Sequence, residues 1–177
     1  MKAATVARHQ IDEVRVAREE VGVRPVDAAP LSEHEQGVLA RARALGAPDP
    51  TAMLSQPEAA SVLGQPLGGP SLTYSDDAIG VRYLAEDRKR RRWSVEVSFQ
   101  YGDEAGFEPA LWWRDTVMEH DADGDEVPGV GDAAVWSAPY LFVLADPLAF
   151  HVQVSTPDGE QPATAAVVAR LVISRLQ

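Results

Sequence analysis

Trp93-Ser94-Val95-Glu96-Val97-Ser98-Phe99-Gln100 alternates apolar and polar residues without a break. Successive side chains of an extended strand point to opposite sides. A period of two therefore places Trp93, Val95, Val97 and Phe99 on one buried face and Ser94, Glu96, Ser98 and Gln100 on the other. A one-residue slip would turn every apolar side chain toward water, so the register is strongly specified. Upstream, Ile79, Val81 and Tyr83 alternate with Gly80 and Arg82 in the same way, and residues 86–92 form a charged connection between the two runs. Neighbouring runs joined so closely predict an antiparallel hairpin.

Working downstream, residues 108–119 carry Leu111, Trp112, Trp113, Val117 and Met118 at a spacing that suits a short amphipathic helix. Val127-Pro128-Gly129-Val130-Gly131-Asp132-Ala133-Ala134-Val135-Trp136 follows, a tight proline-glycine loop that feeds a short buried strand. Tyr140 to Leu144 is apolar throughout and reads as a central strand. Asp146-Pro147 is a turn, after which Leu148, Phe150, Val152 and Val154 alternate with Ala149, His151, Gln153 and Ser155. Pro157-Asp158-Gly159 closes that unit. A helix over residues 162–175 ends the chain, with Ala165, Val168, Leu171 and Val172 on its dry side and Arg170 and Ser174 on its wet side. The class predicted is α+β: an antiparallel sheet of about five strands, packed by helices on one face.

The first 50 residues differ from the rest, being charged, rich in alanine and valine, and free of aromatic residues. Ile11, Val14, Ala17 and Val21 suggest a weak helical stripe. Pro25 and Pro30 break it. Ser32 with Glu35 forms a capping-box pattern opening a helix that stops at Gly46, and Ala47-Pro48-Asp49-Pro50 reads as a linker. Residues 1–50 are thus expected to be a helical arm and residues 51–177 the main domain, which should fold without the arm because the aromatic residues lie downstream. Ser55 and Glu58 form a second capping box, and that short helix ends at Gly64.

The helix Leu54-Ser55-Gln56-Pro57-Glu58-Ala59-Ala60-Ser61-Val62-Leu63-Gly64, followed later by Pro128-Gly129-Val130-Gly131-Asp132-Ala133-Ala134-Val135-Trp136, a hairpin and a terminal helix, resembles small actinobacterial lipoprotein and sensor-like domains of unknown function over residues 51–177. The resemblance implies a non-enzymatic envelope or sensor domain. Such domains usually carry a signal peptide, a lipid-modified cysteine and often a cysteine pair. This chain has no cysteine, and Arg8, His9 and Gln10 interrupt any apolar leader. As written, the chain reads as soluble and cytoplasmic, with the cell envelope open only to a longer N-terminus.

Composition narrows the chemistry. A formal net charge of -11 repels phosphate backbones and anionic lipid surfaces. The absence of cysteine removes disulfides, thiolate nucleophiles and thiolate zinc sites. Asp121, Asp123, Asp125 and Asp132 imitate a calcium loop. Glu126 stands where the glycine belongs, however, and Asp132 where the glutamate belongs, so an acidic solvated turn is the plainer reading. His9, His34, His120 and His151 are scattered and read as surface residues. No Gly-x-Ser-x-Gly elbow occurs, and residues 64–70 lack the Gly-Lys-Ser/Thr ending of a phosphate loop. No metal or cofactor is expected.

Two features point to partners. Arg88-Lys89-Arg90-Arg91-Arg92 is a run of cations in an acidic chain, which suits an acidic protein surface, or another copy of this chain, better than nucleic acid. Trp112 and Trp113 are adjacent on a helix, so at most one points fully inward and the other is a candidate anchor for a ligand or partner. The leading reading is a non-catalytic binding or protein-interaction module with no membrane contact. A hydrolase assembled from residues such as Glu119, His120 and Asp121 is one alternative, and a structural accessory domain of a larger complex is another. A deep polar pocket with a histidine and a carboxylate in hydrogen-bond reach would favour the enzyme, and a shallow apolar groove beside Trp112 or Trp113 would favour binding.

Overall fold

The computed structural model describes residues 22–25, 33–85, 93–102, 107–120 and 124–176. Strand β1 (Gly22–Pro25) comes first, then helices α1 (Glu33–Ala44), α2 (Pro50–Met53) and α3 (Gln56–Leu63). Strands β2 (Ser71–Tyr74), β3 (Ala78–Leu84) and β4 (Ser94–Gln100) precede helix α4 (Pro109–His120). Strands β5 (Asp125–Glu126), β6 (Ala133–Ser137), β7 (Tyr140–Ala145), β8 (Leu148–Thr156) and β9 (Gly159–Glu160) lead to helix α5 (Pro162–Leu176). The strands make one antiparallel sheet in the order β1-β2-β3-β4-β8-β7-β6-β5, with β9 on β8.

The period-two reading sets the register. Val97 pairs with Val81 and Val152, and Phe99 pairs with Ile79 and Phe150. Val95, Val97, Phe99, Phe150, Val152 and Val154 are all fully buried. Burying a valine or phenylalanine side chain contributes about 1.5–3 kcal/mol, so this row dominates the core. Phe99 and Phe150 meet with ring centroids 5.4 Å apart. Helix α5 lies on this face through Ala165, Val168, Ala169 and Val172, its alanines letting the helix come close to the sheet. Trp93 just precedes β4 and is half-buried, its carbonyl accepting the Ala85 N–H.

Two expectations need correction. The sheet is larger than about five strands. Among the described residues, seven strands have four or more residues, with two-residue β5 and β9 besides. The short runs at β1 and β2 carry too few apolar residues for their alternation to stand out. Helices also do not keep to one face, since α4 packs on β6, β7 and β8 from the side opposite α5. That side presents Val135, Phe142 and Leu144, and apolar residues on both faces of β7 need cover on both.

Within the stretch expected to be a helical arm, β1 pairs with β2 at the sheet edge. On α1, Ala42 is fully buried in the main core and Leu39 packs against it. Removing residues 1–50 therefore removes an edge strand and a core-packing helix. The stripe over residues 10–20 and the cap at Ser32 lie outside the described residues. In the linker, Asp49 caps α2 by accepting the Thr51 N–H at 3.0 Å, and Pro50 is buried.

The second capping box forms, with the Glu58 carboxylate accepting both the N–H and the hydroxyl of Ser55, at 2.9 and 2.6 Å. Arg175 ties this box to the end of α5, donating to Glu58 at 2.6 Å and to the Ala52 carbonyl at 2.9 Å. Residues 127–136 behave as a structural clasp. Val130 is buried, the Asp132 N–H donates to the Leu144 carbonyl at 2.8 Å, and the Asp132 carboxylate accepts the Asp146 N–H at 2.8 Å.

Candidate functional site

The polar residues of the alternating strands do not face open water. Across the sheet, Thr73 pairs with Gly80, Gly80 with Ser98, and Ser98 with His151, while Arg82 pairs with Glu96 and Glu96 with Gln153. All of these but Gly80 floor a cavity of about 380 Å³ whose wall is α4, through Trp112 and Thr116, with Tyr140 at the start of β7. Four polar floor residues are nearly inaccessible: Thr73 (2 % exposed), Ser98 (5 %), Glu96 (7 %) and Gln100 (7 %). The expectation of a half-buried strand is thus corrected at its polar side. The residues alternate as read, but α4 and the neighbouring strands enclose them in a cleft.

Gly80 shapes the floor. A Cβ there would stand 2.5 Å from the Val97 carbonyl oxygen, 2.6 Å from Thr73 Oγ1 and 2.9 Å from Ser98 Cα. Only glycine lets the Thr73 side chain lie across β3. Thr73 Oγ1 is buried and has no hydrogen-bond partner among the described residues.

The charged pair beside it is self-contained. Arg82 donates from Nε to Glu96 Oε2 at 2.6 Å, and its Nη2 meets the same oxygen. At the cleft mouth, Ser75 donates its hydroxyl to Asp77 at 2.6 Å. His151 stands half-buried in an aromatic corner, its ring centroid 4.9 Å from that of Tyr140 and 6.1 Å from that of Phe142. Burial, with the nearby Glu96 charge, raises the Tyr140 hydroxyl above its ordinary pKa, opposed by Arg82. Tyr140 stays a neutral donor and acceptor at physiological pH.

A second cavity of the same volume lies where α1 ends and α4 begins, lined by Leu45, Tyr101, Phe107, Pro109, Pro147 and Leu148. Gln100 borders both cavities. The two are equal in size, so chemistry distinguishes them. The first holds the ion pair and the unpartnered buried hydroxyl, whereas the second is mostly apolar.

Of the residues singled out in the sequence, Trp112 lines the polar cleft. Trp113 is half-buried, and its indole N–H is buried without a partner among the described residues. Arg88, Lys89, Arg90, Arg91 and Arg92 lie outside the described residues, as do Asp121 and Asp123. So do the side chains of Glu119 and His120. Asp132 is engaged by the Asp146 amide, and Asp125 is exposed on β5. His151, read as a surface residue, sits in the cleft instead, because the face that carries it is covered by α4. The signals that could have found the site are the glycine inside a strand pattern at Gly80, and the opposite charges at Arg82 and Glu96, placed symmetrically about the hairpin connection. No described helix is long and apolar enough to cross a membrane. No protein-family model, curated protein or solved structure matches this chain.

Proposed function

We propose that this protein is a non-catalytic binding module that takes a small polar ligand into the cleft between the sheet and α4. The observation that carries the reading is the Thr73 hydroxyl, buried and unpartnered among the described residues on the floor of a polar cavity. Burying a hydroxyl without a partner costs about 1–3 kcal/mol, a cost that a polar molecule offsets where it reaches the hydroxyl through the cavity that Thr73 lines. The non-catalytic part rests on the carboxylates and His151. Glu96 is held by Arg82, Asp77 accepts the Ser75 hydroxyl, and the His151 ring packs against Tyr140 and Phe142, so each of these groups already has a structural contact. The resemblance to sensor-like domains points the same way.

The test is a screen of small polar fragments by two-dimensional NMR on the full chain, repeated with Thr116→Trp. Thr116 is half-buried on the helix wall, so the larger ring fills the cleft without disturbing the sheet. Shifts should gather on Thr73, Ser98, Gln100, Gln153 and Trp112 and vanish in the variant. Binding that persists in the filled variant argues against this cleft. Conversion of a bound fragment to product argues against the non-catalytic assignment.

A further inference from the structure

We infer that the cleft selects a neutral, polyhydroxylated ligand of the saccharide class, one or two sugar rings in size. The inference rests on the binding reading above and adds the chemistry of the occupant.

Charge is the first discriminator. The guanidinium of Arg82 and the carboxylate of Glu96 neutralise one another through two contacts to a single oxygen. An anion entering the cleft must compete with Glu96 for Arg82, and a cation must compete with Arg82 for Glu96 or with the Ser75 hydroxyl for Asp77. The chain's net charge of -11 adds a further barrier to anions. A ligand without net charge meets neither obstacle.

Hydrogen-bonding capacity is the second. Apart from the ion pair, His151 and Asp77, which Ser75 engages, the cleft is lined by the Thr73, Ser98 and Thr116 hydroxyls and the Gln100 and Gln153 amides. Each of these hydroxyl and amide groups both donates and accepts. A surface of that mixed character matches a ligand whose own groups both donate and accept, as sugar hydroxyls do. It matches poorly a carboxylate, which only accepts, or an ammonium, which only donates.

The third is shape. Trp112 on α4 and Tyr140 on β7 give the polar floor an aromatic border. An aromatic face carries partial negative charge and attracts the weakly positive C–H groups on one side of a sugar ring. The space a side chain at Gly80 would take is filled by the Thr73 hydroxyl and neighbouring backbone, so the floor there is continuous. The volume of about 380 Å³ is near the lower end of the usual range for ligand pockets, roughly 300–1,000 Å³, which suits one or two rings.

The experiment titrates the full chain with glucose, N-acetylglucosamine and maltose. Glycine betaine, inorganic phosphate, spermidine and adenine serve as zwitterionic, anionic, cationic and flat heterocyclic comparators. Readouts are the Trp112 indole and Gln153 side-chain amide resonances, with affinity by calorimetry. At least one saccharide should shift both resonances, with an affinity unchanged between about 0.05 and 0.5 M salt, a range over which charge-driven binding weakens strongly. Gln153→Leu should weaken that binding at least tenfold. Gln153→Asn, which shortens the amide arm, should do the same and serves if the leucine variant fails to fold. Cleft binding by a comparator but by none of the saccharides overturns the ligand class and leaves the binding module standing. Saccharide binding untouched by both Gln153 variants overturns the assignment of the sugar to this polar floor. Failure of every probe, together with failure of the fragment screen, overturns the cleft as a binding site.

Discussion

Replacing Gly131 with alanine, with Gly129→Ala as its partner variant, separates two costs in the clasp between β5 and β6. Both glycines have left-handed backbone, with φ of 60° at Gly131 and 72° at Gly129. An L-residue in that conformation costs about 1–2 kcal/mol, partly offset because alanine also restricts the unfolded chain. At Gly129 that is the whole effect, since a Cβ there meets nothing within 4 Å. At Gly131 a Cβ would be driven into the Leu144 carbonyl oxygen and stand 3.2 Å from Val143 Cγ1. Relieving that collision separates the clasp from β7 and breaks the 2.8 Å bond from the Asp132 N–H to the same carbonyl, worth about 1 kcal/mol. It also loosens Val130, which is 1 % exposed. We expect a loss near 1 kcal/mol for Gly129→Ala and about 3 kcal/mol for Gly131→Ala. For a chain of 177 residues, about 2–4 °C of melting temperature is lost per kcal/mol, giving roughly 2–4 °C and 6–12 °C. Thermal melts followed by circular dichroism measure both. Equal shifts for the two variants would mean that the close approach to Leu144 contributes nothing and would refute the reasoning.

Three further outcomes follow from the interior and the helix caps. Glu96→Leu should destabilise the fold by about 2–3 kcal/mol by leaving Arg82 unpaired in the cleft, while the double variant Arg82→Met with Glu96→Leu should recover most of that loss in chemical denaturation; a double variant as unstable as the single one would show that the pair's charges are not the issue. Tyr83 donates its hydroxyl to the Leu54 carbonyl, and burial raises it to about 12, so its folded form favours the neutral phenol; the stability this represents is intact below pH 10, falls away as pH rises toward 12, and should be missing from the pH profile of Tyr83→Phe, itself about 1–2 kcal/mol less stable at neutral pH. Hydrogen bonds from Ser55, aided by Arg175, hold Glu58 below its ordinary value of 4.5, so its contribution is complete above that pH and lost as pH falls through the lower folded value; Glu58→Gln should cost about 1 kcal/mol at pH 7, and the gap to wild type should close in acid.

The alternation from Trp93 to Gln100 carried the sheet because period two is a local property: each residue's side follows from its neighbours alone. The caps at Ser55 and Gly64 were legible for the same reason, since a helix end is decided within four residues. The cleft was not legible, although every residue on its floor belongs to those well-read strands. An alternating strand shows which residues share a side, but water and a covered polar cavity ask for the same residue types there. Ser98, Gln100 and Gln153 would serve equally on an open surface. What distinguishes the two is where α4 lands. That is set by Val135, Phe142 and Leu144 on strands more than thirty residues downstream, brought beside β4 only through β8. Gly80 carried a local signal, beside the paired charges at Arg82 and Glu96, because a strand gains nothing from glycine unless something must come close to its backbone. Thr73 is what comes close, and its buried hydroxyl is unpartnered among the described residues.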